Sequence, residues 1–539
     1  MDNAHGRLNQ PARSSCLVFA SVPGRDGGAL RVLGRGADVA IAAAMAVDKA
    51  RKVANTKALL RLDVVTRIWR AESASPEVRS AGLWGVAQGP DLQAALLPVE
   101  VGMRRLIDSR GAFRPDRIDA YAINDDIAGS EDAWGYRFNV ESFVRIDGQW
   151  LPLERGNRRA PGLDAGSLRD AATAAAAYLA RAVDDSGRYV YDLRPWLQRS
   201  RASYNILRHA GSTFALLEAL RLLNPEPAVA DEWHRAAERA LAYMIEQVRP
   251  CPAEPELRCL VGDDEVKIGG NGLALVAIAE YTQLTGDTQY LPLARRLAGW
   301  LVARQREDGA FRPHKVYWST GEADDFISAY YPGEAIFGLA RLSRLDDDPR
   351  WLAASLKAAA YLRSVRDLGK ADVELPHDHW LLYGLVELDS LAPNADNRDH
   401  GLRIARSILS AQNRRPDAHG DPQDWRGSFY RPPRSSPPAT RAEALVSAWR
   451  LASRAERKDG ATDILRGACS ATEFVLRTRF LPEKALFTHA PTLYAGGYHR
   501  SLTDYSVRVD YVQHSLSALL GLAAILDRVE TACSPSLPK

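Results

Sequence analysis

The chain changes rhythm once. Up to about residue 165 its apolar positions fall in short, strand-like runs, and after about 167 they fall at helical spacing. In the first part, 15–22, 29–33 and 60–69 are apolar runs bounded by turn signals, and each predicts a strand. Residues 37–53 are Ala-rich and amphipathic and predict a helix. Residues 138–146 and 150–153 flank Asp147-Gly148 and predict a hairpin. Residues 154–166, rich in Arg, Pro and Gly, read as a linker. The expectation is a smaller mixed α/β domain over 1–165.

From 167 onward about twelve helical stretches alternate in character. Odd ones, such as 232–249 and 290–306, carry a charged face. Even ones, such as 272–279, 335–340 and 515–525, are apolar on nearly all sides. A helix apolar all round is buried, and one with a charged face lies outside. Alternating outer and inner helices predict a mainly α fold, an (α/α)6 toroid over 166–530, with 531–539 as a flexible tail.

The inner helices begin alike. His209, Asn271, Glu334, His379, Glu443 and His514 each stand just before an apolar stretch, about one helical hairpin apart. This spacing predicts a ring of these side chains at one mouth of the barrel. Inner-to-outer connections are short, as at Thr285-Gly286-Asp287, whereas 185–202, 249–266, 307–327, 412–438 and 480–504 are long. Connections beyond about 15 residues are usually functional or disordered. The long ones carry Tyr189, Tyr191, Trp318, Trp425, Tyr430, Tyr494 and Tyr498 and should roof the same mouth. Aromatic faces stack on pyranose rings and charged forks bind hydroxyls or carboxylates, so the mouth predicts a carbohydrate site.

Composition narrows the classes. Hydrophobic residues at 46% and charged residues at 25% are ordinary for a soluble globular chain. Seventy Lys+Arg against 67 Asp+Glu leave +3, which argues against a nucleic-acid-coating protein. Apolar runs such as 171–179 are too short to span a bilayer, so no membrane insertion is expected. No apolar segment precedes Cys16, so a cytoplasmic location is expected. Cys251 and Cys259 flank a Pro/Glu-rich loop and are expected as free thiols in that compartment. Gly34-Arg35-Gly36 precedes a helix but lacks the Lys and spacing of a phosphate loop, and reads as a plain turn.

Three segments sharpen the repeat: Gly286-Asp287-Thr288-Gln289-Tyr290-Leu291, Gln305-Arg306-Glu307-Asp308-Gly309-Ala310-Phe311, and the helix entry Tyr330-Tyr331-Pro332-Gly333-Glu334-Ala335. With the rhythm of 167–530 they resemble the six-hairpin carbohydrate-active superfamily. That group includes glycoside hydrolases, unsaturated glucuronyl hydrolases, N-acylglucosamine 2-epimerase relatives and glucuronyl C5-epimerase domains. The resemblance implies the toroid and a carbohydrate substrate. No family's catalytic set matches residue by residue, so no role is carried over.

Glycoside hydrolysis needs a carboxylic acid and a second carboxylate. Glu334, set among Tyr330, Tyr331 and an apolar helix, is the candidate acid, with Asp378 or Glu443 as its partner. Helix N-capping is the ordinary alternative for any one of them. His209, His379 and His514 support a second reading, a sugar epimerase or uronate lyase with histidines on opposite sides of a sugar carbon. No cofactor is expected, although His with Glu or Asp could hold Zn²⁺ or Mn²⁺. Arg201, Arg208, Lys267, Arg441 and Arg508 hint at an anionic substrate, and Asn271, Trp380 and Asp510 complete the candidate binding set. Tyr204 and Asn205 precede His209, and Asn205 shares its helix face and is expected to orient it. A third reading is a non-catalytic toroid that binds a polymer or a protein.

Overall fold

The period-two runs of the first part pair into one antiparallel sheet. A computed structural model describes residues 15–24, 28–54, 59–71, 84–106, 114, 134–159, 162–195, 199–200, 204–455, 458–529 and 533. The strands lie in the order Ala29–Gly36, Cys16–Pro23, Leu60–Arg70, Tyr136–Ile146, Gly85–Ala87 and Ala95–Leu96. Gln149–Glu154 also pairs with Tyr136–Ile146 and carries Asn157–Arg158 beside it. Alternation along a strand sends successive side chains to opposite faces. Val18, Ala20 and Val22 pack under Ala42, Ala46 and Ala50 of the helix Val39–Val53. Leu17 and Phe19 join the core shared with the toroid. A Cβ at Gly34 would fall 2.1 Å from the Ala42 carbonyl, so this glycine is what lets the alanine face lie on the sheet.

Residues 154–159 of the stretch read as a linker are fixed to the toroid instead. Asn157–Arg158 is a strand, Arg158 pairs with buried Glu483 at 2.8 Å, and Arg155 pairs with buried Asp424 at 2.9 Å. Buried carboxylates that lose such partners are costly, so the charges hold the segment in place.

Among the described residues, twelve helices build the toroid. The inner six are Ile206–Leu223, Ile268–Thr285, Tyr331–Leu342, His379–Leu391, Ser436–Arg454 and Val509–Leu526. Each packs on the next, and the last closes on the first. The outer six are Ala165–Ala182, Pro227–Glu246, Leu291–Ala303, Pro349–Tyr361, Ala395–Ala411 and Lys458–Arg477. Neighbouring inner helices approach through small residues: a Cβ at Gly338 would lie 2.4 Å from the Gly272 carbonyl. Among the described residues, one helix, Val509–Leu526, is long and apolar enough to cross a membrane, with a mean hydropathy of 1.3. It is an inner helix of the ring, and 83% of it is buried there.

The long connections are structured. Residues 248–267 and 315–324 fold into a five-stranded antiparallel sheet. Asp192–Arg194, Arg199–Ser200 and Val507–Arg508 form a three-stranded one. The cysteine expectation is corrected here. Cys251 and Cys259 form a disulfide, because Val248–Pro250 pairs with Arg258–Gly262 and brings their Cα atoms to 5.3 Å. Cys469 and Cys533 form a second, so position 533 of the tail is tied to an outer helix. The rest of 531–539 lies outside the described residues.

Candidate functional site

Four of the six ring positions converge. Glu334, His379 and His514 line a cavity of about 390 Å³ at one mouth, and Glu443 lies directly behind the two histidines. Tyr330, Tyr331, Trp380, Asn205, Arg208, Arg441, Arg508 and Asp510 also line it.

Glu334 stands in the first turn of its helix with 5% of its surface exposed. Its Oε2 has no hydrogen-bond partner among the described residues and lies so close to Gly269 that a Cβ there would be 1.7 Å away. Burial, and then the nearby Asp378 charge, push its carboxyl up to about 8. A buried carboxyl without donors or cations favours its neutral form.

Asp378, the expected partner of Glu334, has a different placement. It does not line the cavity; it caps the helix His379–Leu391 by accepting from the Leu381 N–H at 3.0 Å. Burial pushes its carboxyl up to about 7 although Arg366 acts the other way. Buried at the helix start, it reaches Glu334 by its charge rather than reaching a ligand.

The second wall is a histidine cluster. His514 Nδ1 lies 2.9 Å from Glu443 Oε2, and Tyr383 donates to Glu443 Oε1 at 3.3 Å. With Glu443 as acceptor, the proton is assigned to Nδ1 of His514, which leaves Nε2 with a lone pair. His379 Nε2 is 3.9 Å from the same Glu443 oxygen, and neither ring nitrogen of His379 has a hydrogen-bond partner among the described residues. Burial, then the charges of His514 and Arg441, hold His379 well below the usual histidine range, so its ring is neutral. The two imidazoles meet edge to face with centroids 5.0 Å apart. That contact leaves no room for a sugar carbon between them, so this pair does not provide the expected placement on opposite sides of one. His379, Glu443 and His514 also present ligand atoms within 4.8 Å of one another, a set that could hold a divalent cation.

The third wall is cationic. Asp510 takes a two-pronged bond from Arg508, and Arg208 Nε lies 3.1 Å from its Oδ2. Burial opposes the charge of Asp510, but these guanidinium groups outweigh it and hold the carboxyl below its usual range. Arg441 is only 6% exposed and donates to His377 Nδ1, the Tyr430 hydroxyl and the Pro437 carbonyl. All three are neutral acceptors; burial, then Arg441 itself, lowers His377 to about 4. Arg441 thus has no carboxylate partner among the described residues, and a sequestered cation in that state favours an anionic ligand.

The remaining candidates serve the fold around the cavity. His209 is fully buried, bonded to the Tyr204 hydroxyl at 2.6 Å and the Ala240 carbonyl at 2.7 Å, and burial lowers it to about 4. It braces an outer helix and does not line the cavity. Tyr204 serves His209 and the Tyr189 N–H and likewise lies outside the cavity. Asn205, expected to orient His209 with its side chain, caps the helix by accepting from the Arg208 N–H. Asn271 is buried, accepting from the Leu260 N–H and donating to the Lys267 carbonyl, and Lys267 pairs with Glu265. Of the expected aromatic roof, Tyr430 lines the cavity, while Tyr189, Tyr191, Tyr494 and Tyr498 are buried in packing. Arg201 falls outside the described residues. Sequence reasoning missed Tyr383, whose position four residues after His379 on the same helix face was a usable signal. It also missed Gln513 and Thr440, which line the cavity and carry no pattern that marks them.

No family model and no curated protein matches this chain. Among solved structures, the cellobiose 2-epimerase from Bacillus thermoamylovorans B4167 aligns with a TM-score of 0.50 and 14% identity, over 68% of this chain and 99% of that one. A D-mannose isomerase aligns at 0.49 with 12% identity over 67% and 97%. The GH76A alpha-1,6-mannanase from Salegentibacter sp. HEL1_6 aligns at 0.46 with 12% identity over 67% and 100%. The first likeness shows that the toroid shares the six-hairpin fold. At such identity it says nothing of reaction or residue roles.

Proposed function

We propose that this chain is a carbohydrate-active enzyme that removes a proton from a carbon next to a carbonyl or carboxylate of an anionic sugar. Epimerisation or β-elimination would follow. The observation that carries this reading is the buried pairing of His514 with Glu443 beside a neutral His379 at the cavity wall. Glu443 orients the His514 ring and stabilises the imidazolium that forms when Nε2 takes the carbon's proton. The electrons of that C–H bond move towards the carbonyl or carboxyl group, and Arg441 stabilises the negative charge. In β-elimination those electrons form a C=C bond as the bond to the leaving oxygen breaks, and Glu334 gives that oxygen its proton. In epimerisation Glu334 returns a proton to the opposite face of the carbon. Trp380 offers the sugar an apolar wall.

Glycoside hydrolysis with Glu334 as acid is the second reading, favoured by the neutral carboxyl of Glu334. It lacks a free second carboxylate among the described lining residues: both oxygens of Asp510 are held by arginines, and Asp378 caps a helix. The experiment is turnover of oligouronates in deuterated water. Solvent deuterium at a sugar carbon, or an ultraviolet-absorbing unsaturated product, supports proton abstraction. New reducing ends with neither overturn it in favour of hydrolysis. The two disulfides support an oxidising compartment rather than the cytoplasm. Free-thiol titration of the protein isolated from its native cells tests this, since four additional reactive thiols would oppose it.

A further inference from the structure

A second cavity, of about 290 Å³, adjoins the first, and the two share Ser436, Pro437 and Arg508. Five arginines line it: Arg105, Arg194, Arg434, Arg500 and Arg508. They come from separate parts of the chain. Arg105 follows the short helix Pro98–Met103 of the N-terminal module, whereas the other four belong to connections of the toroid.

Among the described residues, three carboxylates lie beside these arginines. Asp192 is taken by Arg194 at 3.2 Å. Asp504 is divided between Arg500 at 3.3 Å and Arg105 at 4.0 Å. Asp510 is divided between Arg508 and Arg208. Arg434 is exposed and forms no ion pair among the described residues. Guanidinium groups gathered this way repel one another unless an anion sits between them, and their planar forks suit carboxylate and sulfate oxygens.

We infer that the second cavity is a subsite for an acidic oligosaccharide. It holds the anionic group of the unit next to the one that reacts beside Glu334 and His514. This rests on the proposed function for the identity of the first cavity. It gives the N-terminal module a role, since Arg105 completes the subsite from outside the toroid. The substrate class is then an oligomer with charge on successive units, not a lone neutral sugar.

The test is calorimetric titration of the full chain with an oligogalacturonate, a sulfated dextran oligomer and a neutral dextran oligomer of matched length. Runs at low and at physiological salt accompany each. At least one anionic oligomer binds, the neutral one does not, and affinity falls as salt rises. The pair of substitutions Arg434→Ala and Arg500→Ala weakens that binding at least tenfold, and Arg434→Ala alone, at a side chain with no ion pair among the described residues, weakens it about threefold. Carboxylate and sulfate sources are told apart by which oligomer binds. The inference is overturned by absence of anionic binding at low salt, by equal binding of the neutral oligomer, or by binding that neither substitution changes. Arginine-dependent binding without proton exchange on any oligomer would remove the proposed reaction and leave the subsite standing.

Discussion

Glu334 and Asp510 stand at the starts of two inner helices and face one cavity, at 5% and 4% exposure. Burial is therefore nearly the same for both. Their chemistry is opposite. Glu334 has a partnerless oxygen and is pushed up to about 8, while Asp510 has guanidinium groups on both oxygens and is held below its usual range. Partners, not depth, set the charge of a buried carboxyl. The cavity accordingly offers one proton donor and one fixed anion, and neither is suited to be the base.

For the proposed reaction, that comparison sends the base to the histidine wall, and the largest predicted effect follows. His514→Gln should fold and lose about 10³-fold in kcat, the scale of a lost general base. Wild-type turnover on a confirmed substrate would return the base role to a carboxyl and break the contrast. Next in size, Glu334→Gln should cost about 10²-fold in kcat. Wild-type kcat should also fall as pH rises through about 8, where Glu334 loses its proton, and the variant's residual rate should lack that limb. A pH–rate profile reads both, and an unchanged alkaline limb in the variant would take Glu334 out of the mechanism. Smaller again is Asp510→Asn, which strips a charge from between Arg508 and Arg208. It should destabilise the protein by about 2 kcal/mol in urea unfolding, the scale of a buried charged group losing its partner. A variant as stable as wild type would mean that the arginines do not depend on it.

Much of this was legible in the sequence, and the part that was not has a geometric cause. Inner helices such as Ile268–Thr285 are apolar on all sides because they are surrounded, so their repeat showed before any contact was known. Aligning helix starts gives height along the barrel but not direction around each helix. Glu334, His379 and Glu443 reach the cavity or its back wall, whereas His209, at the same level, turns to the Ala240 carbonyl of an outer helix. Asn271 likewise turns to the backbone around Leu260 and Lys267. The Cys251–Cys259 bridge depends on the register of two short strands, which no periodicity reveals. Arg105 and Arg508 are far apart in sequence, so their shared cavity became visible only once the N-terminal sheet was seated on the toroid.

The finest test of the contrast is the pH dependence of stability, because the two carboxyls should bend it in opposite directions. Glu334 has a folded value near 8 against an ordinary 4.5, so between these pH values the native state binds more protons than the unfolded one. Its contribution to stability therefore falls as pH rises through that window. Glu334→Gln removes the slope, and the variant should gain on wild type by on the order of 1 kcal/mol per pH unit from pH 5 to 8. Asp510 has a folded value below its ordinary 3.8, so its contribution is present above that value and is lost as the solution is acidified beneath it. The penalty of Asp510→Asn should then be full at neutral pH and shrink below pH 3.8. Urea midpoints of wild type and both variants across this range decide the matter. Parallel curves for Glu334→Gln and wild type would mean that Glu334 is charged in the folded protein, and the cavity would then hold two anions instead of an anion and an acid.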